Sequence, residues 1–220
     1  ETRDKIIKEI ETVQHYDKIM LNADKERIQK LKSEPLEKET LVALESALDF
    51  MKKKVEFKDR FLWIDSIGLV PPDFSSEIEV DLMRVSIFEA KGEFDKKLSG
   101  VRKKFYDRLW KIIEEKVKIN SLISNEDRSR ISKEKNSERD MDYFGKLIDN
   151  IASKEKFKRY KVDESFSDRK ISGDTVNQFK DDLVKVSIFN DKKDVAASIV
   201  DLGKKLAEAE EKYKLEQGKE

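Results

Sequence analysis

An eight-residue segment occurs twice in this 220-residue sequence, and the repeat limits the folds that the chain can adopt. Asp81–Phe88 returns as Asp182–Phe189, with six of the eight residues identical. The match continues downstream at the same offset, where Phe105 aligns with Leu206. Because similarity at a long, fixed period is the signature of repeated structural units, the sequence predicts two copies of one unit.

Shorter matches precede the repeated segment in the same order. Lys5–Glu9 resembles Lys111–Glu115, and Asn22–Ile28 resembles Asn125–Ile131. The offset between the copies changes by a few residues from match to match, as expected when length changes fall in turns while helix interiors stay in step. The unit is therefore about 100 residues long, within the usual size range of a small domain.

The apolar residues from Val80 onward follow one another at intervals of three or four residues. This spacing is close to the heptad pattern of packed helices and predicts one long helix from about Val80 to Ile119, shared by both copies. A strand over Val80–Phe88 is the alternative, because the segment is rich in β-branched residues. The helical spacing continues well beyond the segment and favours the helix. The series is Met83, Ile87, Ala90, Phe94, Leu98, Val101, Phe105, Leu109 and Ile112.

Composition supports the same fold class. Charged residues make up 43% of the chain and hydrophobic residues 37%, with only seven Gly and three Pro. Such a chain suits long helices with one apolar stripe and a charged outer face. We therefore expect an all-α, elongated helical bundle of two tandem units that share the long connecting helix. Residues 1–105 would form the first unit and residues 106–220 the second.

Charge and cysteine content exclude several classes of function. Lys plus Arg and Asp plus Glu both number 47, so the formal net charge is zero and no strong field favours nucleic acid or an anionic membrane. The absence of cysteine excludes disulfides, thiolate nucleophiles and cysteine metal sites. No apolar run approaches the roughly 18 residues of a membrane span. The chain starts with Glu1, so we expect any signal peptide or lipid-anchor cysteine to lie upstream.

Two resemblances follow from these features. A helix shared by units of about 100 residues resembles the build of spectrin repeats, although Trp63 and Trp110 do not occupy equivalent positions of the two copies. The cysteine-free, Lys- and Glu-rich helical composition resembles the ectodomains of spirochaete surface lipoproteins. That second resemblance implies an extracellular or cell-surface location and binding to host proteins. It carries no motif, so it implies no binding residues.

The sequence offers little for catalysis. The only histidine, His15, stands beside Tyr16 without a recognisable partner for acid–base chemistry. Asp24 and Asp127 lie in segments that lack the glycine and the closing glutamate of a calcium loop. They fit the first turn of a helix, where an acidic group is favoured by the helix dipole. We expect no catalytic, cofactor-binding or metal-binding residues, no cofactor and no small-molecule substrate.

A basic and aromatic segment is the main candidate for partner binding. Its members could hold an acidic protein partner or, less favoured at zero net charge, single-stranded nucleic acid. The alternative is an ordinary solvated helix face. Trp63 and Trp110 would join the candidates if they proved exposed, since aromatic anchors dominate binding interfaces. The segment comprises Lys154, Lys156, Phe157, Lys158, Arg159 and Tyr160.

The function that these observations favour is a non-enzymatic protein-binding module, secreted or exposed at the cell surface, that contacts a macromolecular host partner. The alternative is an intracellular, spectrin-like spacer or scaffold. An enzyme is the least favoured class. The sequence does not predict the oligomeric state or the identity of the partner.

Overall fold

The computed structural model describes residues 2–13, 18–65, 72–159 and 173–217. Within the helices, the side chains of residues 61–65, 156–159, 173 and 217 lie outside this description. All regular secondary structure in these ranges is helical, so the all-α prediction is confirmed and the strand over Val80–Phe88 is wrong. Among the described helices, none is both long enough and apolar enough to cross a membrane.

The described ranges contain nine helices, which fall into two compact units. The first unit is Glu1–Asp107 and the second is Arg108–Glu220, so the boundary lies inside α5. The helices are α1 Thr2–Val13, α2 Asn22–Ser33, α3 Lys38–Asp65, α4 Pro72–Met83, α5 Lys91–Ile119, α6 Asn125–Glu134, α7 Met141–Arg159, α8 Gly173–Lys185 and α9 Lys192–Gln217.

The repeated segment is a helix end followed by a turn in both units. In the first unit α4 ends at Met83 and α5 begins at Lys91, so the predicted unbroken helix from Val80 to Ile119 is wrong. In the second unit α8 ends at Lys185 and α9 begins at Lys192. Backbone groups in both turns bind distant side chains instead of continuing the helical hydrogen-bond ladder.

The turn nevertheless buries apolar side chains, which is why the apolar spacing continues through it. Val85 and Ile87 are buried within the turn, as Leu82 is just before it. In α5, the helix that follows the turn, Phe94 stacks on Phe50 of α3 with ring centroids 4.0 Å apart. A stacked aromatic pair adds about 0.5–1.5 kcal/mol to the stabilisation from buried area. The spacing therefore predicted burial correctly and backbone conformation wrongly.

Two groups of side chains illustrate the core of the second unit. Trp110 packs edge-on against Phe144, with ring centroids 5.2 Å apart, and donates a 2.8 Å hydrogen bond from Nε1 to the carbonyl oxygen of Ser137. A buried indole usually needs such an acceptor. The other group is an apolar cluster formed by Leu122, Phe179, Leu183, Leu202 and Leu206.

The ends of α6 carry clear local signals. Ser124 is the N-cap residue, and its side chain accepts a 3.1 Å hydrogen bond from the Asp127 N–H, the usual role of serine at this position. Beyond the helix C-terminus, Asn136 has a φ of 68°. Asparagine is among the few residues other than glycine that tolerate this left-handed conformation.

Candidate functional site

A buried aspartate binds the repeated turn in the first unit. Asp24, in the first turn of α2, is 4% exposed. Its Oδ1 accepts a 2.7 Å hydrogen bond from Ser86 Oγ, and its Oδ2 accepts a 3.0 Å bond from the Ile87 N–H. Ser86 Oγ also accepts a 3.1 Å bond from the Phe88 N–H. Both carboxylate oxygens are thus used to satisfy donors of one turn.

A buried lysine completes this arrangement. Lys54 of α3 is fully buried, and its ammonium donates a 2.6 Å hydrogen bond to the carbonyl oxygen of Val85. The Met83 carbonyl oxygen lies 3.5 Å away. Carbonyls at a helix C-terminus lack intrahelical donors and carry partial negative charge, so a cation there is favourable. We call the set Asp24, Lys54, Ser86 and Ile87 the first turn clamp.

The second unit contains the same aspartate contacts, whereas its buried lysine binds carbonyl oxygens at other positions. Asp127 accepts a 2.6 Å hydrogen bond from Ser187 Oγ and a 2.9 Å bond from the Ile188 N–H. Fully buried Lys154 donates 2.8 Å hydrogen bonds to the carbonyl oxygens of Leu183 and Leu122. The set Asp127, Lys154, Ser187 and Ile188 is the second turn clamp.

An arginine of the same short helix covers each turn. The Arg27 guanidinium lies 5.6 Å from the centre of the Phe88 ring, and the Arg130 guanidinium lies 4.0 Å from that of Phe189. Cation–π contacts of this kind contribute about 0.5–1 kcal/mol at exposed sites. These side chains extend each clamp to the surface.

The two units differ in how they support the turn beyond the clamp. In the second unit Asn150 Nδ2 donates 2.9 Å hydrogen bonds to the carbonyl oxygens of Ile188 and Asn190. Four residues before Lys54 in the first unit, where Asn150 stands before Lys154, is Phe50, which instead stacks on Phe94. At corresponding positions, the second unit thus has an amide that binds the turn and the first unit has an aromatic pair.

The clamp lysines have perturbed acid–base properties. Burial lowers the pKa of Lys54 to about 8, against the opposing effects of the Asp24 and Glu89 charges. Burial also lowers the pKa of Lys154 to about 8, opposed by the Asp127 charge. A perturbed lysine in a cleft is a candidate nucleophile, but both of these side chains are fully buried and bind backbone carbonyls. The arrangement is suited to holding a turn.

Two of the predicted partner-binding residues are buried. Lys154 belongs to the second turn clamp, so its assignment to an exposed basic face is wrong. Trp110 is 1% exposed and packs in the core of the second unit, so it does not offer an aromatic anchor at the surface. In both cases the polar atoms of the side chain are satisfied by backbone carbonyls.

The other predicted binding residues lie where side chains are not described. Trp63 is in α3, and Lys156, Phe157, Lys158 and Arg159 are in the last turn of α7, all with side chains outside the description. Tyr160 and His15 lie outside the described residues altogether. Partner binding by these residues remains a prediction.

Sequence reasoning missed the clamp residues as a group. The sequence predicted only that Asp24 and Asp127 lie in the first turns of helices, and it placed Lys154 in a basic segment that could bind a partner. The signal that could have identified them is identity at corresponding positions of the repeat, since Asp24 pairs with Asp127, and Lys54 with Lys154. Polar identities that accompany a repeated apolar segment indicate contacts that the unit needs twice.

Solvent-facing grooves lie along the helices of each unit. In the first unit a groove of about 320 Å³ runs between α3 and α5. In the second unit a groove of about 420 Å³ lies between the end of α5 and α6. Charged side chains predominate in both linings. Across the described residues, no group of three or more His, Cys, Asp or Glu side chains could hold a metal ion.

Comparison with known proteins adds no relative from which residues could be assigned. No protein-family model matches the chain, and neither curated proteins nor solved structures give a significant match. The function of the chain is therefore argued from its own contacts and charges.

Proposed function

We propose that this protein is a non-enzymatic protein-binding module that contacts a macromolecular partner through its charged outer surface. The observation that carries the proposal is the use of the buried acids and amines. Asp24, Lys54, Asp127 and Lys154 are the buried ionisable groups of the described part, and each binds backbone in one of the turns or at the end of the helix before it. Groups otherwise suited to acid–base chemistry are committed to the fold.

The grooves support the same proposal. Small-molecule sites are usually concave and mostly apolar, with a few polar groups. The α3–α5 groove has more charged than apolar side chains in its lining, which includes Lys53, Glu56, Arg60, Asp95 and Arg102. Protein–protein interfaces have a polar rim around a less charged centre, and charged helix faces of this kind suit such a rim.

We further propose that the two units are copies of one helical plan and that they share α5. Three observations support this. Both turn clamps use the same residue types in the same order, both turns follow a helix of similar length, and the boundary between the units falls inside α5. Superposing α2–α5 on α6–α9 tests the duplication, and a different helix order or direction would contradict it.

An extracellular or cell-surface location fits the binding proposal. It rests on the compositional resemblance to surface lipoprotein ectodomains. Protease treatment of intact source cells tests it, since a surface protein is digested while an internal control protein survives. Digestion only after lysis would favour the alternative, an intracellular spacer or scaffold.

Binding itself is tested with the whole chain immobilised as bait. Serum and a lysate of the source cells are passed over it, and retained proteins are titrated for saturation. We expect a partner that saturates at a fixed ratio to the bait and dissociates as salt is raised, because contacts between exposed charges are screened. If neither source yields a saturable partner, the proposal fails.

A further inference from the structure

The α3–α5 groove of the first unit is lined by both apolar and charged side chains. The apolar ones are buried Phe57 and half-buried Leu98. The charged ones are three cations and two acids: Lys53, Arg60, Arg102, Glu56 and Asp95. The groove lies wholly within the first unit.

The two arginines have little to bind in the protein itself. The Arg60 guanidinium is 4.0 Å from the Glu56 carboxylate, at the limit of an ion pair, and both side chains are mostly exposed. Among the described residues, the Arg102 side chain has no hydrogen-bond or ion-pair partner. By contrast Lys53, in the same lining, pairs with Asp49 at 3.2 Å and with Asp95 at 3.9 Å. Among the described residues, Arg102 therefore has no partner and Arg60 has only a long, exposed ion pair.

The repeat shows that the charges are not required by the fold. At the repeat offsets the two apolar residues of the lining are retained, since Phe57 corresponds to Phe157 and Leu98 to Ile199. The cations are not retained: the sequence has Tyr160 in the place of Arg60 and Gly203 in the place of Arg102. Because the second copy lacks these two cations, they are not part of the packing that the copies share and are available for a function of the first unit.

Guanidinium chemistry selects the ligand. Arginine presents a planar set of donors that matches a carboxylate in a two-pronged hydrogen bond. Apolar side chains in the same lining as such donors suit a ligand segment that alternates acidic and apolar side chains. We propose that the groove between α3 and α5 binds an acidic segment of a protein partner, with Arg60 and Arg102 holding its carboxylates and Phe57 and Leu98 contacting an apolar side chain. This inference rests on the proposed protein-binding function.

The test uses the whole chain and a short fluorescein-labelled peptide that contains several glutamates and one leucine, with a second peptide in which glutamine replaces every glutamate. Fluorescence anisotropy should show binding of the glutamate peptide below about 1 mM and much weaker binding of the glutamine peptide. The double variant Arg60→Gln/Arg102→Gln should bind the glutamate peptide at least about tenfold more weakly, because hydrogen bonds to charged groups are lost.

The matched control is Lys52→Gln/Lys103→Gln. It removes the same charge from the same two helices at exposed side chains that do not line the groove. We expect its affinity to stay within about twofold of wild type, and circular dichroism should show both variants folded. Arg102→Lys, which keeps the charge but not the planar donor set, should fall between wild type and the double arginine variant.

Several results would overturn the inference: equal binding of the two peptides, equal weakening by both double variants, or preference for a labelled oligothymidylate over the acidic peptide. The bait experiment separates the two proposals. If wild type retains a saturable partner and both double variants retain it equally, the groove assignment fails while protein binding stands. If wild type retains no partner, the proposed function fails first.

Discussion

The Lys54 ammonium lies 2.6 Å from the carbonyl oxygen of Val85, so a side chain of α3 fixes the turn that follows α4. A lysine in the middle of a helix is normally a solvated residue. Here it is fully buried, and its charge is placed where the last carbonyls of a neighbouring helix need donors. In the second unit the buried Lys154 binds the carbonyl oxygen of Leu183, within the last turn of α8, so there the lysine contacts the helix end and not the turn after it.

Replacing Lys154 with methionine should destabilise the second unit. The change leaves the buried carbonyl oxygens of Leu122 and Leu183 without this donor and removes the cation near Asp127. We expect the free energy of unfolding to fall by about 2–4 kcal/mol. Urea titration followed by Trp110 fluorescence, in a Trp63→Phe background, reports on this unit because Trp110 is buried in its core.

The control Lys146→Met, on the same helix, removes a partly exposed cation and should cost about 1 kcal/mol or less. Equal losses in the two variants would contradict the clamp.

The coupling between Asp127 and Ser187 can be measured directly. In Asp127→Asn an amide NH₂ replaces one carboxylate oxygen, so one of the two hydrogen bonds that Asp127 accepts is lost. We expect the free energy of unfolding to fall by about 1–3 kcal/mol. A double-mutant cycle with Ser187→Ala should give a coupling energy of about 0.5–3 kcal/mol. Ser129→Ala, an exposed serine two residues along the same helix, should show no coupling with Asp127→Asn. Additive behaviour in both cycles would mean that the hydroxyl contact is not energetically significant.

The free energy of unfolding should vary with pH in the alkaline range because of the clamp lysines. Burial lowers the pKa of Lys154 to about 8 in the folded chain, while the unfolded value is about 10.4. Between these values the unfolded state binds more protons, so this group makes the free energy of unfolding rise with pH. The stability advantage of wild type over Lys154→Met should therefore widen from about pH 8 to pH 10.4, by at most about 1.4 kcal/mol per pH unit. Urea titrations at fixed ionic strength across this range provide the measurement. If the stability advantage narrows over this range instead, the carbonyl oxygens and the Asp127 charge raise the pKa of Lys154 by more than burial lowers it.

The left-handed residue after α6 gives a local test of the backbone. Asn136 has a φ of 68°, which a β-branched residue adopts only at a cost. Asn136→Val should lower the free energy of unfolding by about 1–2 kcal/mol, whereas Asn136→Gly should leave it unchanged or slightly raised. Glu138→Val, at a nearby exposed position without positive φ, should change it by no more than about 0.5 kcal/mol. A valine at position 136 that costs no more than this control would argue against the assigned conformation.

Much of the fold was predictable because its signals are local. The three- and four-residue apolar spacing gave the helical class, and the residues of that series are largely buried, including Phe94, Phe105 and Leu109. Within the repeated segment, Ile87 of the same series is also buried. The same spacing could not reveal that the chain leaves the helix at Arg84, since a turn can bury apolar residues at similar intervals.

The candidate site was harder to predict because its residues are far apart in sequence. Lys154 follows the pattern of a basic surface run, with Lys156 and Lys158 close by. Only the packing of α7 against the end of α8 makes it a buried donor. Trp110 likewise could be either core or interface until the neighbouring Phe144 and Ser137 were placed around it.

The sequence by itself determined that the chain is helical, free of cysteine and internally repeated, and it indicated several of the buried apolar residues, among them Phe94 and Phe105. The tertiary structure decided where the long helix breaks and which charges belong to the fold. The physical reason is the range of the interactions. Helical periodicity acts between residues three or four apart, whereas the Ser86 hydroxyl meets the Asp24 carboxylate across 62 residues. A contact of that separation exists only once the helices have packed, and it overrides the local preference to continue the helix.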